Sequence, residues 1–178
     1  LAEDDIPKAI VRSWQEKIDD YCLRQPDLNN ENKYRYFGAT LLVVLILPRC
    51  IVYWQLGDGD IVTVCDDNSV TRPMPADSRL LGNETTSLCG NKPWLDFRCS
   101  FQPITDYQPP RFILLSIDGY SNSYANNADF EQTVLDIAEF MKTEGQAWVR
   151  NQLPDWLDEA SKKGSGDDIS VGIMYRAE

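Results

Sequence analysis

The sequence predicts an α+β domain, because strand-like apolar runs occupy its middle and amphipathic helical stretches precede and follow them. Phe112 to Ile117 is a nearly continuous run of bulky apolar residues, of the length typical of a strand covered on both faces. A second run, Leu41 to Leu47, is followed by Pro48-Arg49 and then by Cys50 to Leu56, which predicts a β-hairpin. These strands define the sheet around which the other elements are expected to pack.

The composition favours one globular domain and excludes several kinds of site. The 178 residues are 43% hydrophobic, enough for one domain with a substantial core. The net charge of −11, from 28 acidic and 17 basic residues, argues against a nucleic-acid or anionic-membrane partner. The chain has no histidine, so it cannot itself supply a Ser-His-Asp or Cys-His site or histidine-ligated zinc. Its longest apolar run is too short to span a bilayer.

The cysteines predict the redox environment. None belongs to a Cys-x-x-Cys pair, and none is followed by arginine at the spacing of a cysteine-dependent phosphatase loop. We therefore expect buried, reduced thiols in a reducing compartment, and hence a cytoplasmic protein. The five are Cys22, Cys50, Cys65, Cys89 and Cys99.

The elements before the central strand are predicted in order as follows. Asp4 or Asp5 caps a helix that runs to about Arg24, with apolar residues at helical spacing. A polar loop covers Gln25 to Lys33, and the hairpin comes next. A third strand, Ile61 to Cys65, begins after Gly57-Asp58-Gly59-Asp60, whose glycines allow a tight turn with a carboxylate at its tip. Asp66 to Asn83 is predicted to be a mobile surface excursion, and Glu84 to Cys89 and Phe97 to Thr105 to be weaker strands.

The elements after the central strand are two helices and a last strand. The first helix covers Ala128 to Thr143, and Gly145 separates it from a second one that spans Trp148 to Ala160. Pro154 is expected to start or kink a segment of the second helix, and the aromatic residues there are expected to be core. Ile169 to Tyr175 alternates apolar and other residues with period two, which predicts the last strand.

Acidic residues beside glycine recur at three separate strand ends. They are Asp58, Asp118 with Gly119, and Asp167 with Asp168. In a sheet these ends can converge, and converging carboxylates repel one another unless cations neutralise them. All-oxygen ligands suit hard ions such as Mg²⁺ or Mn²⁺, and two such ions about 3.5–4 Å apart can promote phosphoryl hydrolysis. Ordinary exposed Asp-Gly turns are the alternative interpretation.

Four motifs follow one another along the chain: Gly38-Ala39-Thr40, Gly57-Asp58-Gly59-Asp60, Asp118-Gly119 and Gly166-Asp167-Asp168-Ile169-Ser170-Val171. Their order resembles the metal-dependent protein serine/threonine phosphatases of type 2C, the PPM family. The resemblance covers nearly the whole chain, and one further stretch, Gly82 to Thr86, is most similar to a bacterial branch of that family. It implies an antiparallel β-sandwich with flanking helices (αββα layers) and a centre of two Mn²⁺ or Mg²⁺ ions, with a third ion allowed.

The resemblance also implies individual roles. Asp118 and Asp167 match carboxylates that hold a core ion, and Asp58 matches the acid at a third, looser ion shared with Asp118. Gly119, Asp168 and Asp60 are expected around the ions; Asp168 stands where many members have Asn, and Asp60 where they often have Arg. The polar stretch 66–83 lies where the family has a flap beside the active site.

One departure from the family pattern concerns the N-terminal side. The family's first Asp-Gly motif, its neighbouring histidine (the proposed general acid) and its phosphate-binding arginine have no counterpart here. We therefore expect residues 1–178 to be a single partial domain without the N-terminal strands, and to be inactive alone. The general acid and the arginine are expected upstream.

Three functional hypotheses remain open on the sequence. The first is a phosphatase acting on phosphorylated protein substrates, with a cognate Ser/Thr kinase system as a candidate partner. The second is a non-catalytic pseudophosphatase that serves as a binding or regulatory module. The third is a plain acidic α+β domain. The retained Asp58, Asp118 and Asp167 disfavour the second, since loss of function tends to remove ligands first.

Overall fold

The computed structural model describes residues 2–28, 30–75, 77, 85–104 and 109–176, and these form two antiparallel sheets with helices on both outer faces. The predicted α+β sandwich is therefore the observed fold. The helices are α1 (Asp5–Cys22), α2 (Asp118–Ser121), α3 (Asn127–Thr143) and α4 (Gln146–Lys163). The strands are β1 (Leu41–Leu47), β2 (Cys50–Leu56), β3 (Asp60–Val64), β4 (Val70–Thr71), β5 (Arg98–Pro103), β6 (Phe112–Ser116) and β7 (Val171–Tyr175).

The first sheet has the order β1-β2-β5. The predicted hairpin is confirmed with its bounds: β1 pairs with β2 from Leu41 opposite Leu56 to Leu47 opposite Cys50. Among the described strands, β1 pairs with β2 alone and is an edge of the sheet. The side chains of Leu45, Ile46 and Leu47 on this edge are 40–45% exposed.

The second sheet has the order β4-β3-β6-β7. The predicted central strand is β6, which pairs with β3 on one side and β7 on the other. All four strands run antiparallel to their neighbours. A strand that is covered on both faces can be apolar throughout, and this accounts for the continuous apolar character of β6.

The two sheets and the helices form four layers. Between the sheets, Ile51 and Tyr53 of β2 pack against Ile61 of β3 and Ile113 of β6. The alternate residues of β3 and β6 face the other way and pack under α3 and α4. Helix α1 covers the outer face of the first sheet, where Val11 packs with Leu56. The order α1, first sheet, second sheet, α3–α4 is the αββα arrangement that was predicted.

Two predictions about strands were wrong. Residues 85–89 form no strand. The Leu88 N–H donates to the Ala39 carbonyl at 2.9 Å, and the Gly90 N–H donates to the Ser87 carbonyl, which forms a turn. These bonds hold the segment against Ala39, just before β1, and outside both sheets. The sequence analysis also missed β4, which lies within the stretch assigned to a surface excursion. The rest of that stretch includes residues 76 and 78–83, which lie outside the described residues.

The cysteine and aromatic predictions were only partly right. All five cysteines are free thiols, as predicted, but only Cys22 is buried and the other four are half-buried. Trp148 of α4, predicted to be core, is 37% exposed. Pro154 lies inside α4 and starts no new helix. No helix in the described part of the chain is long and apolar enough to cross a membrane.

Candidate functional site

The three acidic strand ends lie at one end of the second sheet. In the strand register Asp60 is opposite Ser116, and Ser116 is opposite Val171. Asp58 is two residues before the first of these positions and Asp118 is two residues after the second. Asp167 and Asp168 precede the third. Antiparallel pairing thus places the start of β3, the end of β6 and the start of β7 at the same end of the sheet.

The turn that carries Asp58 has little room around it. Gly57 adopts φ +99°, a conformation that favours glycine, and a Cβ there would lie 2.3 Å from a methyl carbon of Thr40. A Cβ on Gly59 would lie 2.6 Å from the Ser116 carbonyl oxygen. The two glycines therefore let the turn pass closely between the Gly38-Ala39-Thr40 segment and the end of β6. This close passage brings Asp58 to the end of the sheet where Asp118 lies.

The side chains of Gln55, Thr86 and Arg98 form hydrogen bonds with the backbone of this turn. The buried Gln55 amide donates to the carbonyl oxygens of both Gly57 and Gly59. The Gly57 N–H donates to the Thr86 hydroxyl at 2.8 Å. Arg98 donates to the Gly57 carbonyl at 3.4 Å. The backbone on both sides of Asp58 is thus fixed by hydrogen bonds.

Asp60 lies beside the turn and is engaged by arginine. Arg72 Nη1 forms an ion pair with Asp60, and Arg72 Nε lies 3.3 Å from Glu131 of α3. Phe130 lies under the guanidinium, with its ring centre 5.4 Å from Cζ. The structure places Asp60, which the sequence analysis put around the ions, in a pair that links the turn to helix α3.

Asp118 begins the short helix α2 directly after β6. The backbone of another segment approaches Gly119 closely. A Cβ on Gly119 would lie 2.6 Å from the Asp168 carbonyl oxygen and 3.1 Å from the Asp167 Cβ. Glycine here lets the 167–168 backbone pass directly over α2, so Asp167 lies next to Asp118.

A set of serine hydroxyls joins α2 to the loop before β7. Ser123 and Ser165 both donate to the Gly119 carbonyl, at 2.7 and 2.9 Å, and their hydroxyl oxygens are 2.9 Å apart. Ser161 at the end of α4 donates to the Asp167 carbonyl at 2.7 Å. These bonds position the Asp167 backbone without using any carboxylate.

The carboxylates influence one another electrostatically. Partial burial raises the pKa of Asp118 above its usual value, and the negative charges of Asp58 and Asp167 raise this pKa further. Asp118 and Asp58 are half-buried, whereas Asp167 and Asp168 are exposed. The three acids thus form a region of concentrated negative charge that a cation would neutralise.

The carboxylates are neighbours but do not form a closed cage. Among the described residues, no three Asp, Glu, Cys or His side chains lie close enough together to enclose a metal ion. The chemistry of the donors fits hard divalent cations, since all are carboxylate oxygens. Asp168 differs from the other acids: it lines a groove of about 550 Å³ with Arg150 and Asp158 of α4.

A smaller cleft of about 260 Å³ opens beside Asp58. Gln55, Asp60, Arg72 and Arg98 are among its lining residues, so it brings two guanidinium groups close to the acidic region. The sequence analysis missed Gln55, Arg72 and the serines. One signal was available: Gln55 is a lone amide in an apolar strand, and a buried amide needs specific partners.

The sequence and the fold were compared with known proteins. The sequence profile of the family described as Protein phosphatase 2C matches residues 1–158. No curated protein matches the sequence significantly. The solved structures that resemble the fold include three phosphatases. At their sequence identities to this chain, the likeness shows the fold alone.

The first is a bacterial serine phosphatase with one substitution, 16% identical to this chain with a TM-score of 0.53; the match covers 79% of this chain and 54% of that one. The second is the catalytic domain of the serine threonine protein phosphatase PstP in complex with two manganese ions, 16% identical with a TM-score of 0.53, covering 76% and 57%. The third is the phosphatase Stp1 from Staphylococcus aureus, 14% identical with a TM-score of 0.52, covering 79% and 57%. The matched region spans a little over half the length of each.

Proposed function

The chain belongs to the protein phosphatase 2C family, and we propose that it supplies the later part of the active site of a metal-dependent protein serine/threonine phosphatase. The observation that carries this proposal is the convergence of acids at one sheet end. There the charges of Asp58 and Asp167 both raise the pKa of Asp118. A phosphorylated protein is the proposed substrate and a Ser/Thr kinase system a proposed partner.

Asp118, Asp167 and Asp58 are the residues proposed to hold Mn²⁺ or Mg²⁺, two ions in the complete domain with a third allowed. The carboxylate donors support hard divalent ions, and PstP, of similar fold, was solved with two manganese ions. When bound, the ions would supply the positive charge that stabilises the phosphoryl oxygens and activates the attacking water.

The residues of this chain would set the geometry for those ions. Gly59 and Gly119 let the backbones that carry the acids approach one another, and Gly57 lets the Asp58 turn pass beside Thr40. The serines at 123 and 165 hold the loop before β7 against α2. The general acid and the phosphate-binding arginine remain unassigned in residues 1–178.

The proposed function is tested by phosphatase assays on the full-length native protein. We expect hydrolysis of a phosphopeptide and of an aryl phosphate with Mn²⁺ or Mg²⁺, and none with EDTA. Activity that survives complete chelation would contradict the proposal. Ion binding without turnover would instead favour the regulatory module.

Substitutions of the acids should have unequal effects. Asp118→Asn and Asp167→Asn should each remove nearly all activity, while Asp58→Asn should mainly change the metal dependence and Asp60→Asn should be mild. Asp136→Asn, an exposed acid on α3, is the matched control and should leave activity unchanged. The ligand assignment would be wrong if Asp60→Asn were more harmful than Asp118→Asn.

The 178-residue chain, treated as one partial domain, should bind Mn²⁺ weakly and show no turnover by itself. Too few anionic ligands are present to offset the dehydration of the ion. Calorimetry with Mn²⁺ and a turnover assay on this chain measure both properties. Tight binding of two ions together with turnover would overturn this part of the proposal.

A further inference from the structure

Gln55 is a buried polar residue near the end of strand β2, beside the turn that carries Asp58. Gln55 lies on the same face of β2 as Ile51 and Tyr53, the face toward the second sheet, because side chains alternate along a strand. It is only 4% exposed. A buried amide is destabilising unless its donors find acceptors. Here the amide nitrogen donates to the Gly57 carbonyl at 3.2 Å and also to the Gly59 carbonyl. The burial of Gln55 is therefore explained by the turn that it binds.

The two acceptors are the carbonyls on either side of Asp58. An amide nitrogen has two hydrogens, so this pair of bonds uses its full donor capacity. On the basis of the proposed function, we infer that Gln55 is a positioning residue that fixes Asp58 beside Asp118. It acts through the backbone on both sides of Asp58 and does not itself hold the ion.

The chemistry of the side chain makes this inference specific. Methionine has a similar length but no donor, so Gln55→Met would remove the amide bonds to both carbonyls and leave Arg98 as the donor to the Gly57 carbonyl. Glutamate has nearly the same shape, but its ionised carboxylate would face two carbonyl oxygens and repel them. Gln55→Glu also adds a negative charge to the cleft beside Asp58. If charge alone governed cation binding, that variant would bind cations more tightly than the wild type.

The first measurement is metal-free and reports on the turn directly. Amide hydrogen exchange of residues 57–60 should become at least tenfold faster in Gln55→Glu and Gln55→Met than in the wild type. Exchange in the hairpin residues 43–45 should not change, which separates release of the turn from global unfolding. Gln102→Met is the matched control; Gln102 accepts from the Tyr53 hydroxyl on the neighbouring strand, and its loss should leave residues 57–60 unchanged.

The second measurement is Mn²⁺ affinity, followed by electron paramagnetic resonance of the free ion. Both Gln55 variants should bind Mn²⁺ about tenfold more weakly than the wild type, despite the added charge in Gln55→Glu. Gln102→Met should bind as the wild type does.

Unchanged exchange at residues 57–60 would overturn the inference. Faster exchange at residues 57–60 with unaltered Mn²⁺ affinity would also overturn the inference, because Gln55 would then stabilise the turn without affecting ion binding. Tighter binding by Gln55→Glu would also overturn it. If the wild type binds no Mn²⁺ at any concentration, the proposed function fails for this chain, and the exchange result alone decides whether Gln55 fixes the turn.

Discussion

Arg72 and Asp60 form an ion pair that ties the end of strand β4 to the start of strand β3, next to the turn that carries Asp58. The Asp60 side chain is 14% exposed and that of Arg72 28%, so the pair is largely shielded from water. Glu131 of α3 contacts the same guanidinium at 3.3 Å. The pair therefore connects the acidic sheet end to the outer helix layer.

Breaking this pair should destabilise the fold more than breaking a surface pair. We expect a double-mutant cycle of Asp60→Asn and Arg72→Gln to give a coupling energy of about 1–2 kcal/mol in urea unfolding. The i,i+4 pair of Arg12 and Glu16, exposed on α1, is the control and should give at most about 0.5 kcal/mol. Equal coupling in the two cycles would show that shielding adds nothing to the Asp60–Arg72 interaction.

Gly119→Ala should disturb the junction between α2 and the loop before β7. The new Cβ would lie 2.6 Å from a backbone oxygen, that of Asp168, which cannot move without shifting its loop. We expect a loss of about 1–3 kcal/mol in the free energy of unfolding, measured in urea. We also expect any Mn²⁺-induced rise in melting temperature to disappear.

Gly172→Ala is the matched control for that substitution. It lies in β7, and its Cβ would meet only Leu115 at an ordinary contact distance of 3.9 Å. We expect a change within about 0.5 kcal/mol. If Gly172→Ala and Gly119→Ala cost the same, the close approach at Gly119 is not what limits substitution there.

Removing the charge of Asp118 should stabilise the metal-free protein at neutral pH. Burial, Asp58 and Asp167 raise the pKa of Asp118 above 3.8, so the folded state holds this proton more tightly than the unfolded state does. The stability that Asp118 contributes is complete below pH 3.8 and is lost as the pH rises through the folded-state pKa. In EDTA, Asp118→Asn should therefore exceed the wild type in unfolding free energy at pH 7.

The difference in unfolding free energy between Asp118→Asn and the wild type should shrink as the pH approaches 3.8, because the wild-type carboxyl then becomes neutral as well. Urea unfolding at pH 7 and pH 4 measures the difference, with Asp136→Asn as an exposed control. An Asp118→Asn variant that is less stable than the wild type by the same amount at both pH values would contradict the assigned repulsion.

The edge formed by β1 should promote self-association. Its seven residues carry no charge, and natural sheet edges usually use charges to prevent pairing with another strand. Ile46→Lys should lower the associated fraction in sedimentation velocity at high protein concentration. Leu95→Lys, at an apolar residue that is 65% exposed outside both sheets, is the control and should have little effect. Equal reduction by both variants would point to general hydrophobicity instead of the edge.

Much of the sandwich follows from local patterns. The hairpin was predicted with its bounds because two apolar runs are separated by only Pro48 and Arg49. Helices α1 and α3 follow from apolar residues at helical spacing. Strand β4 was not predictable in this way, since two residues cannot show periodicity. Residues 85–89 were wrongly assigned because bonds to Ala39 and Gly57, distant in sequence, determine their path.

The candidate site was predictable only as a list of acids. The repeated pairing of Asp with Gly at strand ends gave Asp58, Asp118 and Asp167, and the strand register places them at one end of the sheet. The groups that hold them were not predictable, because the hydrogen bonds of Gln55 and the ion pair of Arg72 depend on side-chain contacts that a sequence does not contain. The assignment of the acids as ligands stays a prediction.

The aromatic contacts between α3 and α4 give this protein a built-in optical reporter. The indoles of Trp148 and Trp156 have ring centres 5.7 Å apart with their planes at 63°, and Phe140 of α3 lies 5.4 and 5.5 Å from them. Two indoles this close couple their electronic transitions, so circular dichroism in the indole bands will carry a signal from this pair. That signal depends on the folding of α4, which carries both indoles, and on its packing against Phe140 of α3, so circular dichroism follows the unfolding of this helix layer.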